Sequence, residues 1–460
     1  MTFLKSNIFK IKIIHSILII SILCFSITGI NAQSNILQNY INQGLGLNNS
    51  LKQQDLMLQK AKYAITEAEA LKKPQVNFNF NYTLAVGGRS IDFPIGDLLN
   101  PVYGTLNQQL ISAGKTPQFP TLENQKVQFL PNNFYDAKIR TIYPIYNPDI
   151  ALNRESKVQQ AEFLKPDRDI IAKDLERDIK ISYYKYLQTV EGIKIVNNAI
   201  LLLNDLKRMN ESMVKNDIAI PSILLRVKSD ISKAEAQKID ILNNQKNVKY
   251  LFNTLINNDL EQEIIVDTTY FKNQNTLNIA SKNIDVNDRA ELTKINEGLK
   301  LLALKTKFEQ SYFKPRVGSF LDLGSQGFIY PKGPKLYGLA GITVDYPLYD
   351  ARKNRLRTEQ AKLDETALIE QRNHVKKQLI LQESVAQNNL AAAQETLLTS
   401  DAQVDWTKRY FRDTQKRFKE GQAIYLEISD AHTQYLNAAL QQSISTMTVW
   451  IRKAELERIQ

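Results

Sequence analysis

Residues 336–349 read LYGLAGITVDYPLY, and after Pro347 the chain has no further proline and one glycine, Gly421. Leu336, Gly338, Ala340, Ile342, Val344 and Tyr346 alternate with Tyr337, Leu339, Gly341, Thr343 and Asp345. That period of two predicts a strand. Asp350 then caps a helix expected to reach Glu420, about 70 residues or ~100 Å of rise. Gly421 turns the chain, and a second helix is expected over 423–459. Ile428, Ala431, Tyr435, Ala438 and Gln442 share one of its faces. No globular core needs a helix of that length, so the choice narrows to a coiled coil or a helical tube.

The same plan occurs earlier in the chain. Tyr143-Pro144-Ile145-Tyr146 matches Tyr346-Pro347-Leu348-Tyr349 at an offset of 203, and Asp217 matches Gly421 at 204. Lys73-Pro74-Gln75-Val76 matches Lys314-Pro315-Arg316-Val317 at 241. The first copy therefore carries 38 extra residues between its two strands. They fall in residues 85–133, which hold five prolines and read as a long loop. The second copy has a short link near Ser325 to Lys335.

Three more runs read as strands. Val76, Phe78, Phe80, Tyr82 and Leu84 alternate with Asn77, Asn79, Asn81 and Thr83. Tyr135, Ala137, Ile139, Thr141 and Tyr143 alternate with Asp136, Lys138, Arg140 and Ile142. Val317, Ser319, Leu321 and Leu323 alternate less cleanly, because Phe320 interrupts the polar face. Each run has about 9–11 residues, the length of a transmembrane β-strand. The first long helix starts at Asn147-Pro148-Asp149 and reaches about Met213, with Leu175, Ile179, Tyr186, Ile193, Val196, Ile200 and Leu203 at helical spacing. Pro166 is expected to end or kink it. Asn216-Asp217 turns into a helix from Pro221 to Ile256. Each copy is thus helix, strand, strand, long helix, turn, helix.

The chain has 460 residues, with 17 glycines and 14 prolines, well under ordinary usage. That disfavours sandwiches, propellers and glycine-rich nucleotide folds. A hydrophobic share of 43% with 23% charge excludes a disordered chain. Residues 1–32 read as a cleaved secretory signal: Lys5, Lys10 and Lys12, an apolar stretch from Ile13 to Phe25, and Ile30-Asn31-Ala32 before Gln33. The first structural repeat then spans 33–257, a mixed segment 258–287, and the second repeat 288–460.

Few residues could carry chemistry. Cys24 and His15 lie in the signal, which leaves no cysteine and only His374 and His432. No catalytic constellation, cofactor motif or metal-ligand spacing stands out, so no enzyme, cofactor or metal is expected. The net charge of +11 falls to +8 without the three signal lysines. Its basic residues are interspersed with acids, which reads as solvated helix surface without a nucleic-acid partner.

Four membrane strands leave two open edges, which lipid does not tolerate. A dimer would close eight strands and a trimer twelve. The stripes on the long helices pose the same problem and have the same solution.

With this double repeat the mature chain resembles the TolC-type outer-membrane efflux family. The matching residues are the helix starts Asn48-Asn49-Ser50-Leu51 and Asp288-Arg289-Ala290-Glu291-Leu292, without the family's usual proline. The two Lys-Pro-x-Val junctions and the two tyrosine-rich junctions also match. So does Phe418-Lys419-Glu420-Gly421 followed by Leu426-Glu427-Ile428-Ser429-Asp430-Ala431.

The resemblance implies a mainly α fold with a membrane β-barrel portion: a homotrimeric α-barrel with a shared 12-stranded β-barrel, four strands per chain. It implies a passive exit duct in outer-membrane lipid with a periplasmic extension. The duct would serve a tripartite efflux or type I secretion system through a periplasmic adaptor and, indirectly, an inner-membrane pump. The short helices should stack end to end, and the mixed segment 258–287 should be equatorial. Glu427 and Asp430 would ring the periplasmic aperture. Asn216, Asp217, Ile218, Ala219, Gly421, Gln422 and Ala423 would contact the adaptor. Ala423 stands where the family has a basic residue and Phe418 where it has tyrosine. Arg226, Lys228 and Arg417 are therefore the candidates to close the tips. The competing reading is a structural coiled-coil protein of the cell envelope with no pore, which would not need four amphipathic strands.

Overall fold

The computed structural model describes residues 35–130, 132–271, 285–328 and 333–460. The expected signal, residues 1–32, and part of the 258–287 segment lie outside them. In chain order the elements are α1 (Asn35–Leu47), α2 (Asn49–Ala70), β1 (Gln75–Thr83), β2 (Ser90–Phe93), α3 (Ile95–Ser112), β3 (Gln125–Gln128), β4 (Phe134–Tyr146), α4 (Pro148–Lys215), α5 (Ser222–Leu255), α6 (Ala290–Gln310), β5 (Arg316–Phe328), β6 (Pro334–Asp345), α7 (Lys353–Lys419) and α8 (Tyr425–Ile459). They divide into a sheet unit, Tyr63–Val158 with Ala303–Lys362, and a helical unit made of the remainder. No described helix is long and apolar enough to cross a membrane.

The four expected strands form one antiparallel sheet in the order β1-β4-β5-β6. Its register places Phe78 opposite Ile139, Ile139 opposite Leu323, and Leu323 opposite Gly338. Directly paired residues share a face, so Val76, Phe78, Phe80, Ile139, Leu321, Leu323, Ile342 and Val344 line one side. That side is open in the single chain: Phe78 and Ile342 are each 70% exposed. A bulge between Pro144 and Tyr146 adjusts the end of β4, where proline has no N–H to donate.

The other face is polar, and it explains why Phe320 interrupts the alternation. Phe320 lies opposite Gly341, where an added Cβ would sit 2.5 Å from the ring. The Arg140 guanidinium covers the ring at 5.5 Å from its centroid. The aromatic is therefore accommodated by a missing side chain on one strand and a cation on another.

Two expectations need correction here. Residues 85–133 are not a bare loop. They hold the two-stranded sheet β2–β3 and the 18-residue helix α3. Proline density hid the helix, because Pro94 is its N-cap and Pro101 falls in its second turn, so most of its backbone hydrogen bonds survive. The link in the second copy is also shorter than expected, since β5 reaches Phe328 and β6 begins at Pro334.

In the helical unit, α4 runs unbroken through Pro166 rather than ending there. The proline removes one hydrogen bond, and burial of its ring offsets that loss. Buried side chains fall into separate clusters. The largest gathers Tyr183, Tyr184, Phe252, Ile179 and Leu187, with Tyr40, Tyr270 and Trp450 packed against them. Tyr183 Oη ties this cluster to the following segment: it donates to Ile265 O at 3.2 Å and accepts from Asp267 N at 3.0 Å.

The short helices meet end to end, as expected. Asn48 Nδ2 donates to Leu255 O at the end of α5 at 3.4 Å, and its Oδ1 accepts from Ser50 N at 2.9 Å at the start of α2. One side chain thus serves the orphan carbonyls of one helix and the orphan amides of the next. In the second copy Arg458, in the last turn of α8, donates to Glu291 in the first turn of α6 at 2.6 Å. Each charge complements the dipole of its own helix end. Burial pushes the Glu291 carboxyl up, but the Arg458 hydrogen bond and the Arg289 charge outweigh it and hold it below its ordinary value.

Asn48→Ala should therefore cost about 1 kcal/mol of helical stability, the usual value of an N-cap. Asn48→Asp, which keeps the capping acceptor, should cost less. Thermal unfolding followed by circular dichroism distinguishes them. Equal losses would assign the effect to the Leu255 bond rather than to the cap.

Candidate functional site at the helical tips

The two tips are built by the same turn. Ile218 N donates to Met213 O at 2.9 Å and Asp217 N to Val214 O at 3.1 Å, with Asp217 at φ 54°. Gln422 N donates to Arg417 O at 2.8 Å and Gly421 N to Phe418 O at 3.1 Å, with Gly421 at φ 73°. Both are Schellman closures, in which a left-handed residue directs two amides back to the last carbonyls. Glycine adopts that conformation without steric cost, and aspartate is among the few other residues that tolerate it.

The residues at the turns are mostly exposed. Ile218 and Ile220 on one tip and Ile424 and Leu426 on the other are each more than half exposed. Asn216, Asp217 and Gln422 are exposed, whereas Ala219 and Ala423 are half-buried. Ala423 packs on a cluster of Leu203, Leu206, Val227, Phe418, Tyr425 and Ile428. Phe418 is buried there, where a tyrosine hydroxyl would need a partner.

Glu427 and Asp430 lie on one side of the first turns of α8. Glu427 is half-buried and pairs with Arg417 at 3.6 Å, and Arg417 also donates to Gln422 O at 3.3 Å. Of the three basic candidates, Arg417 is thus the one that reaches the acidic pair. Asp430 is exposed and accepts from Gln434 Nε2 at 2.8 Å. Arg226 instead lies 3.7 Å from Asp230, and Lys228 is exposed.

Asp230 was not singled out by the sequence. It sits on α5 with a side chain 13% exposed. It accepts from Ser429 Oγ at 2.7 Å and Tyr425 Oη at 3.1 Å, both on α8. This bond set ties the helix after one tip to the helix after the other. Burial, and then the Asp230 charge, push the Tyr425 phenol up, so it stays a donor. The sequence signal was Tyr425 and Ser429 four residues apart on the apolar stripe of α8. Their partner, about 200 residues earlier in the chain, is not marked by any local pattern.

His432 follows on the same stripe. It is 4% exposed, with the Phe411 ring 5.6 Å away. Burial pushes its imidazole down to about 4, and the Asp230 charge only partly opposes this. The ring is therefore neutral at physiological pH. His374 is exposed on α7. No cluster of three or more potential metal ligands occurs among the described residues.

The polar face of the sheet is the other concentration of charge. Arg140 Nε and Nη2 donate to the two Asp322 oxygens at 2.8 and 2.7 Å, and Asp322 is 1% exposed. Lys138 Nζ donates to Asp136 at 2.7 Å, and Tyr337 Oη donates to the other Asp136 oxygen at 2.7 Å. Two cations and two anions balance across β4 and β5, with Tyr337 of β6 completing the set.

His432 sets a pH dependence for the tips. The unfolded chain takes up a proton near 6.5 that the folded chain refuses until about 4. Stability should be full above 6.5 and fall by roughly 3 kcal/mol as the pH drops to about 4. His432→Gln should flatten that slope in thermal unfolding measured across the interval. An unchanged slope would remove His432 as its source. At the first tip, Asp217→Gly should stabilise by up to about 1 kcal/mol, because it relieves the left-handed residue.

Residues 335–459 match the family model for outer membrane efflux protein. Comparison with curated proteins finds no sequence match. Among solved structures, the fold is similar to the outer membrane protein VceC of Vibrio cholerae, at 14% identity over 92% of this chain and 95% of that one, with a TM-score of 0.68. It is also similar to the CmeC outer membrane channel of Campylobacter jejuni, at 13% identity over 92% and 85%, with a TM-score of 0.71. The open-state MtrE outer membrane channel of Neisseria gonorrhoeae aligns at 14% identity over 92% and 88%, with a TM-score of 0.68. At these identities the structures establish a shared fold, and the family model adds a sequence match over residues 335–459. The last quarter of the chain thus matches the outer membrane efflux protein model, and the chain as a whole shares the fold of these outer membrane channels.

Proposed function

We propose that three copies of the chain form the exit duct of a tripartite export system. TolC-type channels are generally trimeric and work with adaptor proteins. One observation carries the reading for this chain. Its sheet has two unpaired edges, β1 and β6, an exposed apolar face and a charge-paired polar face. Three such sheets joined edge to edge give twelve strands with lipid outside and a polar lumen inside. A coiled-coil scaffold has no use for that surface. Transport through the duct is passive. The energy comes from an inner-membrane pump acting through a periplasmic adaptor.

In this reading the repeats span 33–257 and 288–460, with the equatorial segment between them. Glu427 and Asp430 from three copies ring the periplasmic aperture and favour cations. Arg417 restrains Glu427 in each copy. Asn216, Asp217, Ile218, Ala219, Gly421, Gln422 and Ala423 form the adaptor contact, with the exposed isoleucines beside them supplying the apolar area.

The test has two parts. Detergent extraction should yield an SDS-resistant trimer that forms channels in planar bilayers, whereas recovery as an elongated dimer without detergent would overturn the duct. In the channel-forming protein, Glu427→Ala with Asp430→Ala should reduce cation selectivity or change conductance severalfold. Unchanged values for both would reject the acidic ring and leave the duct intact.

A further inference from the structure

We infer that the α3 lobes of three copies pack against one another and cover the outer mouth of the barrel. This rests on the trimeric duct proposed above. The lobe is inserted between β1 and β4, and β1 is an edge strand of the sheet. Each lobe therefore begins at the seam where one copy must pair with the next.

The lobe is held rigid by two asparagines. Asn100 Nδ2 donates to Leu122 O and Asn100 Oδ1 accepts from Leu122 N, both at 2.8 Å. Asn107 Nδ2 donates to Phe119 O at 2.8 Å, and its Oδ1 accepts from Gln118 N and Phe119 N at 3.0 Å. Tyr103 lies between them in sequence, its ring 5.1 Å from Phe119. Gly96 completes the contact, since a Cβ there would lie 2.3 Å from Leu122 O. One side of α3 is thereby fully used.

The adjacent side is apolar and bare. Leu98 is 68% exposed, Val102 51%, Leu99 37% and Leu106 36%. At helical spacing they share a stripe about 100° wide, the width of a face that packs on a partner. An apolar stripe on a water-facing helix calls for a cover.

The charge pattern selects the occupant. A helix lying on a lipid surface carries lysine and arginine on its polar side. Residues 95–112 have neither, and their one charge, Asp97, is held by Asn124 Nδ2 at 2.8 Å. A helix without free charge meets two identical copies without repulsion, so a second copy of the same face fits where a headgroup layer does not. The reach also suffices. Twelve tilted strands give a barrel radius of roughly 12 Å, while 18 helical residues span about 27 Å.

The test uses Val102→Cys, since the chain after the expected signal has no other cysteine. In SDS-resistant trimers a mild oxidant should link chains into disulfide dimers and lower single-channel conductance severalfold, and reductant should restore it. Val102→Lys with Leu106→Lys should raise conductance, because three like-charged faces separate. Conducting trimers that neither cross-link at Val102 nor respond to the lysines overturn the lid. A Val102→Cys thiol shielded from a membrane-impermeant maleimide without cross-linking assigns the stripe to lipid, and also overturns it. Failure to form trimers at all would reject the duct instead.

Discussion

The unpaired backbone at the two edges of the sheet governs the rest of this molecule. β1 uses one side of its backbone on β4, and β6 uses one side on β5. Each leaves a row of N–H and C=O groups with no partner in the chain. In water such edges invite aggregation, and in lipid each open group costs several kcal/mol. Four strands are too few to curl closed, so in the proposed assembly the edges are satisfied by other copies. In that assembly, oligomer formation is a condition of the barrel rather than an addition to it. The helical unit, with its side chains in separate buried clusters and long apolar residues left exposed, carries the same incompleteness into water.

The two faces of the sheet separate two solvents. On one face aromatic and aliphatic side chains are exposed, and in the proposed duct their medium is hydrocarbon. On the other, charges are neutralised within the chain before any substrate arrives. The fork of Arg140 on the nearly inaccessible Asp322 is the strongest of these pairings, being bidentate and charge-assisted. Balanced charge across the strands suits a duct that passes what a pump selects. In the proposed assembly, discrimination by charge falls to the tips, where Glu427 and Asp430 are less completely neutralised.

The tips show how one geometry can be met by two sequences. Asp217 and Gly421 close equivalent turns with the same pair of amide bonds, although only one is glycine. The polar links around them are not equivalent. Arg417 works within its own tip, while Asp230 reaches from the helix after the first tip to the helix after the second. A movement that separates those helices must break the Asp230 bonds to Tyr425 and Ser429 and expose His432. The cost of such a movement is therefore concentrated in a few buried polar contacts.

The sequence by itself determined the repeated element order, the four strands with their facing, the long helices and the positions of both tips. Each of these is a local property: a period of two or 3.6, or a breaker between two periods. It also placed Glu427 and Asp430 on one face, because three residues along a helix is a local spacing. What only the tertiary structure decided are contacts between distant segments. Asp230 with Tyr425, Arg140 with Asp322, Phe320 over Gly341 and Asn48 between two helix ends each join residues whose own neighbourhoods give no sign of the partner. The helix in residues 85–133 was hidden for a related reason. Its prolines look like breakers one at a time, and it is held to the rest of its lobe by asparagine bonds to backbone some 12 to 22 residues away, as Asn107 and Asn100 show. Periodicity is written along the chain, but the choice of partner is made by packing in space.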